Sequence, residues 1–406
     1  MRHFFLLLLF FCYIGDLNAQ SSVLENLTLS DADSVLVVTD SGARVFAWQA
    51  RKPLIPASVT KLATAYLAID KWGLEHRFHT DFFIQAETLL VKGYGDPFLV
   101  SEEIDVLADA LKAALQARGI TELTDLYVDN SYFSFASVPG RSKVADPYNA
   151  PVSAVSANFN TAKLSNENGV ISSAEAQTPL TNTAKKMAYS LTKSVDRVNL
   201  VDSDNAQSNF AELLLAKLGM VSTAITINKT LDGRETLLYR HLNTHSLADV
   251  LRGSLEFSNN FIANQVFLKL ADNATTDKVS FDLSRDYANT ALAVRFGWRH
   301  HSINEGSGLS RKNRLSAEQI NDLLKALQPN KVLFKKIKVS SKAVSVYAKT
   351  GTLNGVRSYA GYIELPPTTS QQSVRKYRFV FNFNRAVGYR YRDQVLEKLI
   401  ADLERL

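Results

Sequence analysis

Hydrophobic and polar positions follow two different periods along this chain. Near its start, strand-like runs at 34–38 and 43–49 flank Asp40-Ser41-Gly42, a turn tripeptide that predicts an antiparallel hairpin. After a turn at Pro53 and Pro56, Leu62, Tyr66 and Ile69 recur at helical spacing and Gly73 stops the run. A helix is therefore expected over 57–72, with Ser58 in its first turn. From about His79 to Leu242 the pattern changes to short strands and two helices, near 107–116 and 210–218. Turn signals punctuate it at Gly93, Gly95, Pro97, Pro139, Pro147 and Pro151. Helical periodicity returns at 247–255, 261–270, 284–296 and 317–327, followed by strands at 344–348, 356–363 and 378–384. A last helix aligns Val395, Leu399, Leu403 and Leu406. Helices bracketed by two sets of strands predict an α+β protein, an antiparallel sheet covered by helices, with a mixed α/β domain inserted at 79–242. The flanking segments, 20–78 and 243–406, then form one discontinuous domain.

Composition narrows the class. Arg2 and His3, the apolar run 4–14 and Leu17-Asn18-Ala19 read as a secretory signal peptide over 1–19, the run being too short to span a bilayer. Export to the periplasm is expected, with no integral membrane segment left after cleavage. Cys12, the only cysteine, lies inside that signal. A cysteine nucleophile, a thiolate metal site and structural disulfides are thereby excluded from the mature chain. The net charge of +6 survives loss of Arg2 and Asp16, but the basic residues are scattered without interleaved aromatics, so nucleic acid is not an expected partner. Asp393, Glu397, Asp402 and Glu404 offset the basic residues of the last helix, whose apolar stripe is expected to pack on the sheet rather than on a membrane. His241 and His245 are four apart but lack the accompanying Glu and a third ligand. They read as polar or exposed histidines, and no metal is expected.

Three short motifs carry chemistry. Ser58-x-x-Lys61 puts a hydroxyl and an amine on one helical face, the relation a serine nucleophile needs with a base kept neutral by burial or by nearby cations. Ser190-x-x-Lys193 and Ser373-x-x-Lys376 match the same pattern, but only Ser58 follows a proline at the start of an apolar helix, where its amide can also face an oxyanion. For the second motif, Ser203-Asp204-Asn205 spells Ser-Asp-Asn, whereas Ser258-Asn259-Asn260 has Asn in the middle. Ser258 is preferred because it joins two helical segments, whereas Ser203 reads as a helix cap. Ser258 can relay a proton to a leaving amine, and Asn260 can bind a substrate amide. Lys349-Thr350-Gly351 is the only Lys-Thr-Gly and follows a strand-like run. Lys349 and Thr350 suit a terminal carboxylate, Gly351 permits close approach, and the amide of Thr352 can complete an oxyanion hole with that of Ser58. The order of the three motifs is the signature of penicillin-recognising serine acyl enzymes.

Longer stretches extend the likeness: Lys92-Gly93-Tyr94-Gly95-Asp96-Pro97, Asp129-Asn130-Ser131-Tyr132-Phe133, Pro147-Tyr148-Asn149-Ala150-Pro151, Gly306-Ser307-Gly308-Leu309-Ser310-Arg311 and residues 348–363. Through them the chain resembles the low-molecular-mass class C penicillin-binding proteins, the D-alanyl-D-alanine carboxypeptidase/endopeptidase family. The resemblance implies a transpeptidase-like catalytic domain made from both ends of the chain, with extra material inserted between the first and second motifs. The 199 residues between Ser58 and Ser258, against 88 between Asn260 and Lys349, fit that plan. The chain is short for the family, so the two-subdomain insertion is expected to be reduced. The implied function is a periplasmic serine DD-peptidase acting on peptidoglycan stem peptides, a D-Ala-D-Ala carboxypeptidase with DD-endopeptidase action on the cross-link as an extension. It would work through a Ser58 acyl-enzyme, be acylated by β-lactams and use no cofactor. Arg311 is a candidate substrate contact or the site of a structural salt bridge. Two alternatives stand beside this reading: a β-lactamase or esterase on the same fold, disfavoured by Ser258 in place of Tyr, and a non-catalytic cell-wall-binding scaffold, disfavoured by three intact motifs.

Overall fold

The computed structural model describes residues 27–405 except 135–136, 143, 221–222, 274–277 and 369–371; the expected signal peptide, Cys12 and Leu406 lie outside the described residues. The described chain opens with the hairpin β1 (Asp33–Thr39) and β2 (Arg44–Trp48), a 3-10 turn at Ala57–Thr60, and α1 (Lys61–Trp72). The middle segment holds β3 (His79–Gln85), β4 (Thr88–Gly93), α2 (Ser101–Ala117), β5 (Asp125–Asp129), β6 (Thr161–Glu167), β7 (Val170–Ser173), α3 (Asn182–Lys186), β8 (Val195–Asn199), α4 (Ser203–Leu218), β9 (Ala224–Thr226) and β10 (Thr236–Leu242). The last segment runs α5 (Leu247–Glu256), α6 (Asn260–Lys269), α7 (Phe281–Phe296), α8 (Ala317–Leu327), β11 (Lys335–Ile337), β12 (Ser345–Leu353), β13 (Val356–Leu365), β14 (Arg375–Phe383) and α9 (Tyr391–Arg405).

The first sheet has the order β11-β12-β13-β14-β1-β2 and is antiparallel throughout. Because β1 pairs with β14, the two ends of the chain close it together. Successive strand residues face opposite sides, and both sides of this sheet are covered, which is why β1 reads as an unbroken apolar run instead of alternating. Val35 and Val37 join Phe379, Phe381 and Phe383 under Val395, Leu399 and Leu403 of α9. Leu36, Val38 and Val380 face the other way, into the core shared with Leu62 of α1 and Leu323 and Leu324 of α8. This is the α+β arrangement expected from the sequence, and the apolar stripe of α9 is spent on the sheet.

The middle segment builds two further sheets. In β10-β3-β4-β5-β9 the β4-β5-β9 part is parallel and the rest antiparallel. Ile104, Leu107 and Leu111 of α2 and Phe210, Leu214 and Leu218 of α4 pack with Phe82, Leu89, Val91, Leu126 and Val128 of its strands. The three-stranded sheet β7-β6-β8 has a small core of its own, with Leu164, Ala184, Met187 and Val198. Polar pairs tie α2 to the end of β10: Glu103 lies 2.7 Å from His241 Nε2 and accepts from the Thr244 amide at 2.8 Å. Of the two readings, polar or exposed, His241 takes the first: it is buried, with Glu103 as its polar partner. Among the described residues no group of three or more His, Cys, Asp or Glu could hold a metal ion, and no helix is long and apolar enough to cross a membrane.

Candidate active site

Ser58 lies in a 3-10 turn ahead of α1 and not in the first turn of a regular α-helix as the periodicity suggested; α1 itself begins at Lys61. The turn is wedged between two backbones that must come very near it. A Cβ added to Gly308 (φ +90) would sit 1.9 Å from Ala57 O and 2.8 Å from Ser58 N, and one added to Gly351 would sit 3.0 Å from Ser58 N. Only glycine fits at either position. Ser358 Oγ on β13 donates to Pro56 O at 2.6 Å and ties the turn to the sheet.

Lys61 is fully buried, and its Nζ lies 3.1 Å from Ser58 Oγ. The same nitrogen donates to Asn260 Oδ1 at 2.6 Å and to Ser307 O at 2.7 Å. Burial pushes the ammonium down to about 7, while the charge of Glu305 pulls the other way. A neutral lysine amine has two hydrogens and one lone pair. Two acceptors take the hydrogens, so the lone pair is left for the Ser58 hydroxyl. Asn260 is held in this orientation because its Nδ2 donates to Tyr148 O at 3.0 Å.

Ser307 O is presented to Lys61 by a loop folded around Glu305. That buried carboxylate accepts from Ser307 N (2.8 Å), Ser307 Oγ (2.6 Å), Gly308 N (2.7 Å), Ser310 N (3.2 Å) and Asn313 Nδ2 (2.8 Å). Five donors stabilise the carboxylate and fix the turn that Gly308 makes against Ser58. Sequence reasoning passed over Glu305, although an acid immediately before Gly-Ser-Gly was a usable signal.

Ser258 sits between α5 and α6 at φ +59, and Asn259 caps α6 by accepting from Ile262 N at 3.1 Å. The cap consumes the middle residue of the motif and turns Ser258 and Asn260 toward the cleft. Lys349 Nζ, on β12, donates to Ser258 Oγ at 2.7 Å and to Thr350 O at 2.9 Å. Burial, followed by Lys61, Arg392 and Lys335, holds the Lys349 ammonium well below the ordinary lysine range. Every charged neighbour in that set is a cation, so an incoming anion is what this lysine lacks.

Ser58, Ser258, Asn260, Thr350 and Thr352 line one open cleft of about 620 Å³, with Tyr148, Leu309, Asn354, Arg357, Tyr389 and Arg392. No carboxylate is among its described lining residues. Arg311 stands outside that lining. Its Nη2 donates to Asn354 O, bracing the β12–β13 turn, and it forms no salt bridge among the described residues. The Ser-Asp-Asn triplet at Ser203 also lies elsewhere. Ser203 is the first residue of α4 and bonds to Asn130 Nδ2 and Ser153 Oγ, while the helix cap is Asp202, which accepts from Asn205 N at 2.9 Å. Arg392 and Tyr389 were missed because basic residues at the start of the last helix read as surface charge.

A family model described as the D-Ala-D-Ala carboxypeptidase 3 (S13) family matches residues 18–209 and 192–339. A D-alanyl-D-alanine carboxypeptidase from an Actinomadura species is 24% identical over 425 residues, covering 85% of this chain and 78% of the relative. Penicillin binding protein 4 from Haemophilus influenzae has the same fold: its crystal structure superposes with a TM-score of 0.71 at 21% identity, over 95% of this chain and 98% of that one. A second structure of that protein, complexed with a novel β-lactam, superposes with a TM-score of 0.66, over 92% of this chain and 95% of its own.

Proposed function

The chain belongs to the D-Ala-D-Ala carboxypeptidase 3 (S13) family, and from that membership we propose that Ser58, Lys61 and Ser258 carry out its reaction in the cleft beside Lys349. It is a serine-type D-Ala-D-Ala carboxypeptidase of the penicillin-binding class, acting on peptidoglycan stem peptides and inhibited by β-lactams. The observation that carries the residue assignment is the commitment of both Lys61 hydrogens to Asn260 Oδ1 and Ser307 O, with Ser58 Oγ as the remaining neighbour of Nζ.

Ser58 Oγ attacks the carbonyl carbon of the penultimate D-Ala as its proton passes to Lys61 Nζ. The oxyanion is met by the amides of Ser58 and Thr352, and Gly351, the residue before Thr352, lets β12 come close to the Ser58 amide. Collapse breaks the C–N bond, and the departing amine takes a proton from Ser258 Oγ, which is replenished by Lys349 Nζ, its 2.7 Å neighbour; the proton that Lys61 took from Ser58 replaces the one Lys349 gave, so Lys61 is again a free amine. Water then attacks the acyl ester, its proton passing to Lys61, and Ser58 is released with its hydroxyl restored. Lys349 and Thr350 hold the carboxylate of the departing residue, and Asn260 takes the amide of the residue before it. Action on the D-Ala to diamino-acid cross-link is a further reading of the same site, supported by the openness of the cleft.

A β-lactamase needs a group that activates water for fast deacylation. Glu305, whose charge Lys61 feels, has both oxygens engaged by donors of its own loop, so it is unsuited to that task. For the chain as a whole, 20–78 and 243–406 are read as the catalytic domain and 79–242 as the insertion. Cell-wall action puts the enzyme outside the cytoplasm; the finer reading is a periplasmic protein released from a signal peptide at 1–19. The direct test is D-Ala release from a D-Ala-D-Ala pentapeptide by the mature protein. Ser58→Ala is expected to lower the rate by roughly 10⁴-fold or more, and unchanged release would remove Ser58 from the mechanism.

A further inference from the structure

Arg392 belongs to the first turn of α9, yet its side chain is only 8% exposed and reaches beneath β12. Its Nη1 donates to Gly351 O and to Thr352 Oγ1, both at 2.9 Å. Its Nε has no hydrogen-bond partner, and the nearest carboxylate oxygen, on Asp393, is 4.0 Å away. The guanidinium is flanked by the rings of Tyr359 and Tyr389, at 5.6 and 5.9 Å. Burial lowers its pKa from the usual arginine value, against the opposing pull of Asp393 and the two tyrosines. Opposite Thr352 in the β12–β13 register stands Arg357, whose Nη1 is spent on Leu353 O and Val356 O and whose Nε is again unpartnered.

A guanidinium can only donate, and a hydroxyl has one hydrogen. With Arg392 occupying a lone pair of Thr352 Oγ1, that hydroxyl is free to spend its hydrogen on something else, and Thr352 lines the cleft next to Thr350. A largely buried cation whose ion-pair partner, Asp393, is half-exposed and 4.0 Å away is incompletely compensated, and an anion bound nearby adds to the compensation. Resting on the function proposed above, we infer that Arg392 is a positioning residue for the leaving-group side of the cleft: it sets the Thr352 hydroxyl as a donor to the carboxylate of the departing residue. The C-terminal helix therefore contributes to the enzyme's preference for a leaving group with a free carboxylate.

The test compares two acyl-D-alanyl thioesters whose leaving thiol carries either a carboxylate or the neutral carboxamide. Any loss of folded protein cancels in the ratio of the two kcat/KM values. Arg392→Gln is expected to lower kcat/KM for the carboxylate substrate about 10- to 100-fold while changing that for the carboxamide less than about 3-fold. Because the Thr352 amide also serves the oxyanion of both substrates, Thr352→Val is read through the ratio of the two kcat/KM values alone, which should fall as it does in Arg392→Gln, and adding Arg392→Gln to it should lower that ratio less than about 3-fold further. Equal losses on both substrates, an unchanged ratio, or fully multiplicative losses in the double variant would overturn the inference. Trapping of the Ser58 acyl-enzyme by a β-lactam in the same preparations separates this from failure of the underlying reading. Absence of any adduct on wild type would overturn both, whereas an adduct with an unchanged ratio would overturn only the role of Arg392.

Discussion

Lys61 shows how burial makes a base out of a residue that is ordinarily an acid at neutral pH. Its depressed pKa means that the free amine, the form with a lone pair for Ser58, predominates above about 7 and is lost as pH falls through that value. Acylation kcat/KM is therefore expected to level off above about pH 7 and to fall about tenfold per pH unit well below it. A pH profile of acylation by a β-lactam that does not itself titrate in this range checks the sign; a rate that rises on acidification would contradict it. Ser58, Lys61 and Lys349 were legible because their motifs encode local geometry: three residues along a turn, or a strand register. Tyr148 and Arg392 were not, because each acts through a contact with residues far away in sequence, whereas Glu305 gathers its donors from its own loop and was passed over although its local sequence marked it. No local pattern separates Arg392 from its exposed neighbour Arg390 until α9 is docked.

Elements hold these residues by very close approach. The 3-10 turn carrying Ser58 touches the loop at Gly308 on one side and β12 at Gly351 on the other, so side-chain volume at either glycine is transmitted straight to the nucleophile. Gly308→Ala would bring a methyl into Ala57 O at a φ that disfavours any Cβ. A stability loss of about 1–3 kcal/mol is expected, with β-lactam acylation slowed in the protein that remains folded. Thermal unfolding and acylation kinetics check this together, and wild-type values in both would refute the wedge. At this scale the sequence was informative about type and less so about ends. It gave 317–327 as a helix, which α8 matches residue for residue, yet ran the strand before Lys349 only to 348, whereas β12 continues to Leu353. The extension follows from pairing with β13 through Leu353↔Val356, a long-range cause that Gly351 and the polar threonines conceal.

Over the whole molecule, the sheet that carries Lys349 is closed by strands from both ends of the chain, and α9 seals its outer face. The hairpin at the start and the strands at the end were both readable, but their union depends on β1 pairing with β14, which periodicity does not specify. One consequence reaches the cleft. Leu399 is fully buried against Phe379 and Phe381, so Leu399→Ala is expected to cost about 2–5 kcal/mol. Because α9 also carries Arg392, the same variant should weaken carboxylate-dependent turnover in protein that is still folded; calorimetry with kinetics below the melting transition measures both.

The central claim is that Ser58 is the residue acylated. Incubation with a penicillin followed by peptide mapping with mass spectrometry tests it most directly. The expected result is a single long-lived adduct on the peptide containing Ser58, absent from Ser58→Ala. An adduct on another peptide, such as the one containing Ser203, or no adduct on the wild-type protein, would contradict the account.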